Sequence, residues 1–193
     1  IVTAQNDAML LLRNLFRESA AAEVVLDEEF PRENTDFRAT VARIRSAAPD
    51  AVYVLLWSPQ PGTFAKQLRE QGYTGPIFGS HNLEDANEVK AAGGALEGAW
   101  LATGDDRNAI DYLSAYKSAY QSSPTAGGVD GFDVAAMFIA VSQSPDLNAA
   151  LHGLKGFRGG FGVYGATEHN DFNIPAVLKQ VTGESFRTLV ADG

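Results

Sequence analysis

The 193 residues contain no cysteine, which removes disulfides, thiolate chemistry and cysteine-ligated zinc together. No apolar run reaches about 18 residues, so no segment is long enough to span a bilayer as a helix. Positive charge is scarce: 15 Lys and Arg stand against 24 Asp and Glu, for a net charge of −9. Such a surface repels polyphosphates and anionic lipids, which argues against nucleic acid and membrane surfaces as partners. No GxGxxG follows a strand and no GxxxxGK[ST] occurs, so phosphate-cradling loops are missing. No Ser-His-Asp constellation or Gly-x-Ser-x-Gly turn is visible. These absences point away from an enzyme and give no reason to expect a cofactor.

What is present is an ordinary globular composition, 45% hydrophobic and 20% charged, sufficient for a core. There is no internal repeat or low-complexity segment. The opening Ile1-Val2-Thr3 enters strand-like sequence directly, which predicts a mature product or a fragment rather than a signal peptide.

The chain is organised around PDAVYVLLWSPQPG, residues 49–62. Ala51 to Leu56 is apolar without alternation and is bounded by turn signals, as in a strand buried on both faces of a parallel sheet. Trp57 and Ser58 follow at its carboxyl end, and Pro61 suits the first turn of a helix.

Strand and helix signals alternate through residues 1–103. Ile1 to Gln5 reads as a strand, followed by a helix capped by Asn6 or Asp7 with Met9, Leu12, Leu15 and Phe16 inward. Val24 to Leu26 reads as the second strand, closed by a solvated acidic run, Asp27-Glu28-Glu29. A helix capped by Thr35 carries Phe37, Val41, Ile44 and Ala48. After the central strand come a helix with Phe64 and Leu68 ending at Gly72, a strand Pro76 to Phe78 leading into Gly79-Ser80-His81-Asn82, a polar helix over 84–92, and a strand over 99–102. Five strands with intervening helices predict an α/β fold, a doubly wound parallel sheet in flavodoxin-like order.

Past Thr103-Gly104 the pattern changes. Helices are predicted from Asp106 or Asn108 (with Ile110, Leu113, Tyr116 and Tyr120), over about 130–142 after the joint Ala126-Gly127-Gly128 (burying Val134, Met137, Phe138 and Val141), and after Pro145 (with Leu147, Leu151 and Leu154). Residues 104–156 contain no convincing strand for these apolar stripes to cover, which predicts that part of the molecule is absent or supplied by another chain. Strands are then expected over 161–166, 174–181 and 185–190, the last two joined at Thr182-Gly183.

Ligands of doubly wound sheets bind outside the carboxyl ends of the strands, at the switch in strand order. Here those ends carry Gln5-Asn6, Trp57-Ser58 and Ser80-His81-Asn82: hydrogen-bonding groups beside one aromatic face, suited to a small polar ligand with an apolar body. Polar loops at strand ends and an indole covering a sheet edge are the plainer alternative. Asp105-Asp106 is more simply a helix cap than a cation site. Glu168-His169-Asn170-Asp171 lacks a second histidine at ligand spacing and reads as a polar turn. His152, near Lys155, reads as solvated. No metal site is expected.

Three stretches, NTDFRATVARIRSAAPDAVYV, GTFAKQLREQGYTGPIFGSHNL and GGALEGAWLATG, resemble in order the type I periplasmic binding proteins of ABC transporters, in the leucine/isoleucine/valine-binding branch. GVDGFDVAAMFIAV and FRGGFGVYGATEHNDFN are similar to that branch's penultimate helix and its β-turn segment, and the His169-Asn170 turn is similar to members that take up amides or aromatic acids. The resemblance implies two α/β lobes that close on a ligand without catalysis, a periplasmic or extracytoplasmic location, and a membrane permease as partner. Residues 1–103 with 174–193 would form the second lobe, and 104–173 the last part of a first lobe whose opening part has no counterpart here. Self-association of such a fragment would cover its unmatched faces. Thr103 and Gly104 would fall at the hinge. By the same resemblance, Trp57 falls where amino-acid-binding members place an aromatic side chain against the ligand. His81 falls where they place the acid that pairs with the α-ammonium group, and Gln5-Asn6-Asp7 lacks their Tyr-Gly pair. Histidine can donate to an anion or amide but cannot replace a carboxylate opposite an ammonium. The ligand expected is therefore a small carboxylate or amide rather than an ordinary zwitterionic amino acid. A ligand-sensing receptor or regulatory domain of the same fold is the second reading.

Overall fold

A computed structural model describes residues 1–124, 127–169 and 171–189. The chain divides into two units, Ile1–Ala102 with Leu178–Gly193, and Thr103–Val177. Unit 1 is built on β1 (Val2–Ala4), β2 (Glu28–Phe30), β3 (Val52–Leu55), β4 (Ile77–Ser80) and β5 (Trp100–Gly104), with β8 (Ala176–Thr182) and β9 (Ser185–Leu189) beyond them. The spatial order is β2-β1-β3-β4-β5-β8-β9. The first five strands pair in parallel, and the last two form an antiparallel hairpin. Helices α1 (Asp7–Ser19), α2 (Arg38–Ala47), α3 (Gln60–Glu70) and α4 (Ala86–Ala92) are the crossovers. The doubly wound α/β sheet expected from the alternation of signals is present, in the flavodoxin-like order.

The central strand explains why the sheet folds as it does. Val52 and Val54 are at most 3% exposed on one face, while on the other Leu55 is buried and Tyr53 stacks on its register partner Phe78 at 4.6 Å. Phe16 of α1 packs against both rings. Elsewhere in the core Phe30, Phe37 and Phe64 meet edge to face at 5.0 and 5.3 Å, geometry that adds to what their burial contributes.

Four expectations in unit 1 are corrected. The second strand is Glu28–Phe30, not Val24 to Leu26, and Val25 is 49% exposed. The acidic pair tolerates the strand because alternation sends the two carboxylates to opposite faces. Glu28 meets Thr40 and Arg43 of α2, and Glu29 meets Arg13 of α1. Leu15 of α1 is exposed; Met9 is the buried residue of that helix. Thr35 does not cap α2. Phe37 holds the cap position, and its N–H bonds the Gln67 side chain at 2.7 Å. The fourth helix begins at Ala86, capped by Asp85, after a 3-10 turn over His81–Leu83.

Unit 2 holds α5 (Ile110–Tyr120), α6 (Gly128–Val141), α7 (Leu147–His152) and a hairpin of β6 (Phe157–Gly159) and β7 (Gly162–Tyr164). Its small core is Ala109, Val129, Met137, Phe161 and Tyr164. The Asp133 carboxylate, 1% exposed, accepts from the Gly160 N–H and the Tyr164 hydroxyl at 2.7 Å each. Burial first, and that hydrogen bond second, push the Tyr164 phenol well above its usual range. Val134 and Phe138, expected inside, are half exposed. The line that α6 buries is Val129-Asp133-Met137-Val141, an i, i+4 row with a carboxylate in it. Ile110 and Tyr120 of α5 are also exposed. Ala126, part of the predicted Gly-rich joint, Asn170 of the predicted polar turn and Val190 of the last predicted strand lie outside the described residues.

Candidate functional site

Because β1, β3 and β4 are parallel neighbours in register, with Thr3 opposite Leu55 and Val54 opposite Gly79, their carboxyl ends share one edge of the sheet. Asn82, just past β4, ties the three ends together. Its amide donates to the Leu56 carbonyl beyond β3 at 3.2 Å and lies 3.1 Å from the Met9 sulfur in α1.

The seven candidate residues separate by what their side chains do. Asn6 caps α1 by accepting from the Met9 N–H at 3.0 Å. Ser58 donates to the buried Glu88 carboxylate at 2.6 Å. Ser80 is 6% exposed and lies 3.5 Å from the Asn82 N–H, and Asn82 is engaged as described. These four are occupied by the fold itself. Gln5, Trp57 and His81 instead present exposed side chains on the same edge, one from each strand end. Trp57 is 38% exposed. A large apolar surface flanked by a carboxamide and an imidazole can stack on a planar or apolar body and hydrogen-bond a carboxylate or amide.

Two buried polar residues that the sequence pattern does not mark shape this edge. Gln60, 1% exposed, donates to the Pro31 and Asn34 carbonyls at 2.9 and 3.2 Å, and its carbonyl faces the Trp57 N–H at 3.4 Å. Glu88, 3% exposed, accepts from Ser58 and from the Gly62 N–H at 2.9 Å. Both sit on helices that read as ordinary amphipathic or polar segments. Only the depth of their burial, a tertiary property, sets them apart.

Thr103 and Gly104 are the last residues of β5 and begin unit 2. A Cβ on Gly104 would come within 2.5 Å of the Phe161 ring, so a glycine is required there. Asp105 caps the turn that follows and pairs with the Arg107 guanidinium, which accounts for the acidic pair as a cap. Among the described residues no group of three or more His, Asp or Glu is placed to hold a metal ion. No described helix is long and apolar enough to cross a membrane.

Gln5, Trp57 and His81 thus stand exposed at the carboxyl edge of a doubly wound α/β sheet, the edge at which sheets of this kind take ligands. Residues 2–183 match the family described as periplasmic binding protein, and the chain belongs to that family. No curated protein matches it. Among solved structures, one assigned to a branched-chain amino acid ABC transporter from Rhodospirillum rubrum is 25% identical, with a TM-score of 0.82 over 97% of this chain and 59% of that one. The leucine binding protein LivK from Thermotoga maritima is 22% identical, TM-score 0.84, over 98% and 59%. An ABC transporter solute-binding protein from R. palustris, solved in complex with benzoate, is 22% identical, TM-score 0.84, over 97% and 56%. The chain thus spans under two thirds of the length of each of these proteins. The sequence resemblance to type I periplasmic binding proteins holds, and the T. maritima and R. palustris relatives are binding proteins by description.

Proposed function

We propose that this chain carries part of the solute-binding component of an ABC importer, taking a small carboxylate, amide or amino-acid-like solute at the carboxyl edge of unit 1 without catalysis. In this reading residues 1–103 with 174–193 form one lobe, residues 104–173 belong to the other, and Thr103-Gly104 lies at the hinge. The partner is a membrane permease and the location periplasmic or extracytoplasmic. Faces of α5 and α6 left uncovered in the chain alone favour self-association. Trp57 is the principal contact, Gln5 and His81 are the polar groups free to meet a ligand, and Asn6, Ser58, Ser80 and Asn82 hold the edge in shape.

The observation that carries the reading is the trio of exposed side chains on three adjacent strand ends, with an imidazole and no carboxylate among them. An α-ammonium group would find no counter-charge from this trio, whereas a carboxylate or amide would find donors. Calorimetric titration with benzoate, benzamide and leucine tests it. Binding of benzoate or benzamide that is lost in Trp57→Ala is expected; tight and specific leucine binding would overturn it. A receptor or regulatory domain of the same fold remains the alternative, and it predicts ligand binding without permease stimulation in reconstituted vesicles.

A further inference from the structure

We propose that Glu88 is the positioning residue that sets the pose of Trp57; its consequence for ligand binding rests on the reading of Trp57 given above. A carboxylate this deeply buried is costly unless its oxygens are satisfied, and here both are. One oxygen accepts from Ser58, immediately after Trp57, and the other from Gly62, at the start of α3. The two contacts bracket the turn that follows the indole. Gly62 is what allows α4 to come so close, since a Cβ there would lie 2.6 Å from the Glu88 carbonyl oxygen. Gln60 fixes the same turn from the other side, through Pro31 and Asn34. Glu88 also stands on α4, the helix reached directly from the His81 turn, whose carbonyl accepts from the Glu84 N–H at 2.8 Å. One side chain therefore links the segment carrying the indole to the segment carrying the imidazole.

The test uses the 193-residue chain with Trp100→Phe, so that Trp57 is the only indole. Acrylamide quenching and time-resolved anisotropy then report the freedom of Trp57 with no ligand present. In Glu88→Ala the quenching constant should rise about twofold and the residual anisotropy should fall, the faster local motion expected of a released turn. Glu88→Gln should restore both, because its carbonyl can accept from Gly62 and its amide can donate to Ser58. Glu88→Ala indistinguishable from the parent, or Glu88→Gln as loose as Glu88→Ala, would overturn the assignment. Where Glu88→Ala fails to fold, Ser58→Ala removes one contact alone. Intermediate loosening then supports the role, and unchanged quenching rejects it. Benzoate titration of Trp57→Ala separates the two ideas: if Glu88→Ala frees the indole while Trp57→Ala binds benzoate like the parent, the positioning role stands and the ligand reading falls.

Discussion

The Tyr164 hydroxyl donates a 2.7 Å hydrogen bond to the Asp133 carboxylate, joining β7 to the middle of α6 beneath the surface of unit 2. Two backbone N–H groups of the hairpin reach the same carboxylate. Tyr164→Phe leaves those two bonds and removes the third, at an expected cost of about 1–2 kcal/mol in urea unfolding. Because folding raises the phenol's pKa, its contribution is complete below about pH 10, the usual tyrosine value, and is lost as pH rises above that. The variant should therefore show a shallower alkaline loss of stability than the parent.

Two glycine substitutions should have opposite signs. Gly62→Ala forces a methyl against the α4 backbone, and overpacking of this kind costs about 1–3 kcal/mol. Gly131 lies exposed within α6 with nothing within 4 Å of an added Cβ, so Gly131→Ala should stabilise by roughly 0.5–1 kcal/mol. Thermal unfolding of both variants checks the pair.

Acid should expose the role of Glu28. The hydrogen bond from Arg43 holds its carboxyl below the usual range, aided by Thr40 and opposed by burial. A lowered carboxyl pKa gives stability that is present above the unfolded value and lost as pH falls through the folded one. Glu28→Gln should lower the unfolding midpoint slightly at pH 7, the pair being partly screened by solvent. The gap should narrow as pH falls below the usual carboxylate range.

His81→Asp tests the ligand proposal directly. A carboxylate at that strand end would face an α-ammonium favourably and an anion unfavourably. The ratio of leucine to benzoate affinity should rise by about tenfold or more, equivalent to roughly 1.4 kcal/mol. An unchanged ratio would remove His81 from the recognition surface.

How much of this could be read from the sequence depended on whether the cause was local. β3 was legible because an uncharged run bounded by turns admits few other conformations, and the doubly wound parallel sheet followed from the alternation of elements. β2 was misplaced because its acidic residues are tolerated only through Arg13 and Arg43, which arrive from helices on either side. The strand ends were legible as an edge, but the division of labour along it was not. Whether Ser58 faces a ligand or the protein is decided by Glu88, 30 residues further on. In α6 the inward row includes Asp133, so a search for apolar stripes selected Val134 and Phe138 instead. Polar groups held by partners distant in sequence are the common element in these misses.

The sheet of unit 1 is completed by β8, whose Val181 bonds the backbone at Gly98 and Ala99, and by the Lys179 side chain reaching Glu84. Yet residues 105–175 lie between β5 and β8 in the chain. At a ribosome's pace, roughly 5–20 residues per second, β5 waits on the order of four to fifteen seconds for its neighbour. Throughout that interval it is an open edge able to template pairing with another nascent copy. Newborn chains, more than finished ones, are where a cell would have to guard this protein.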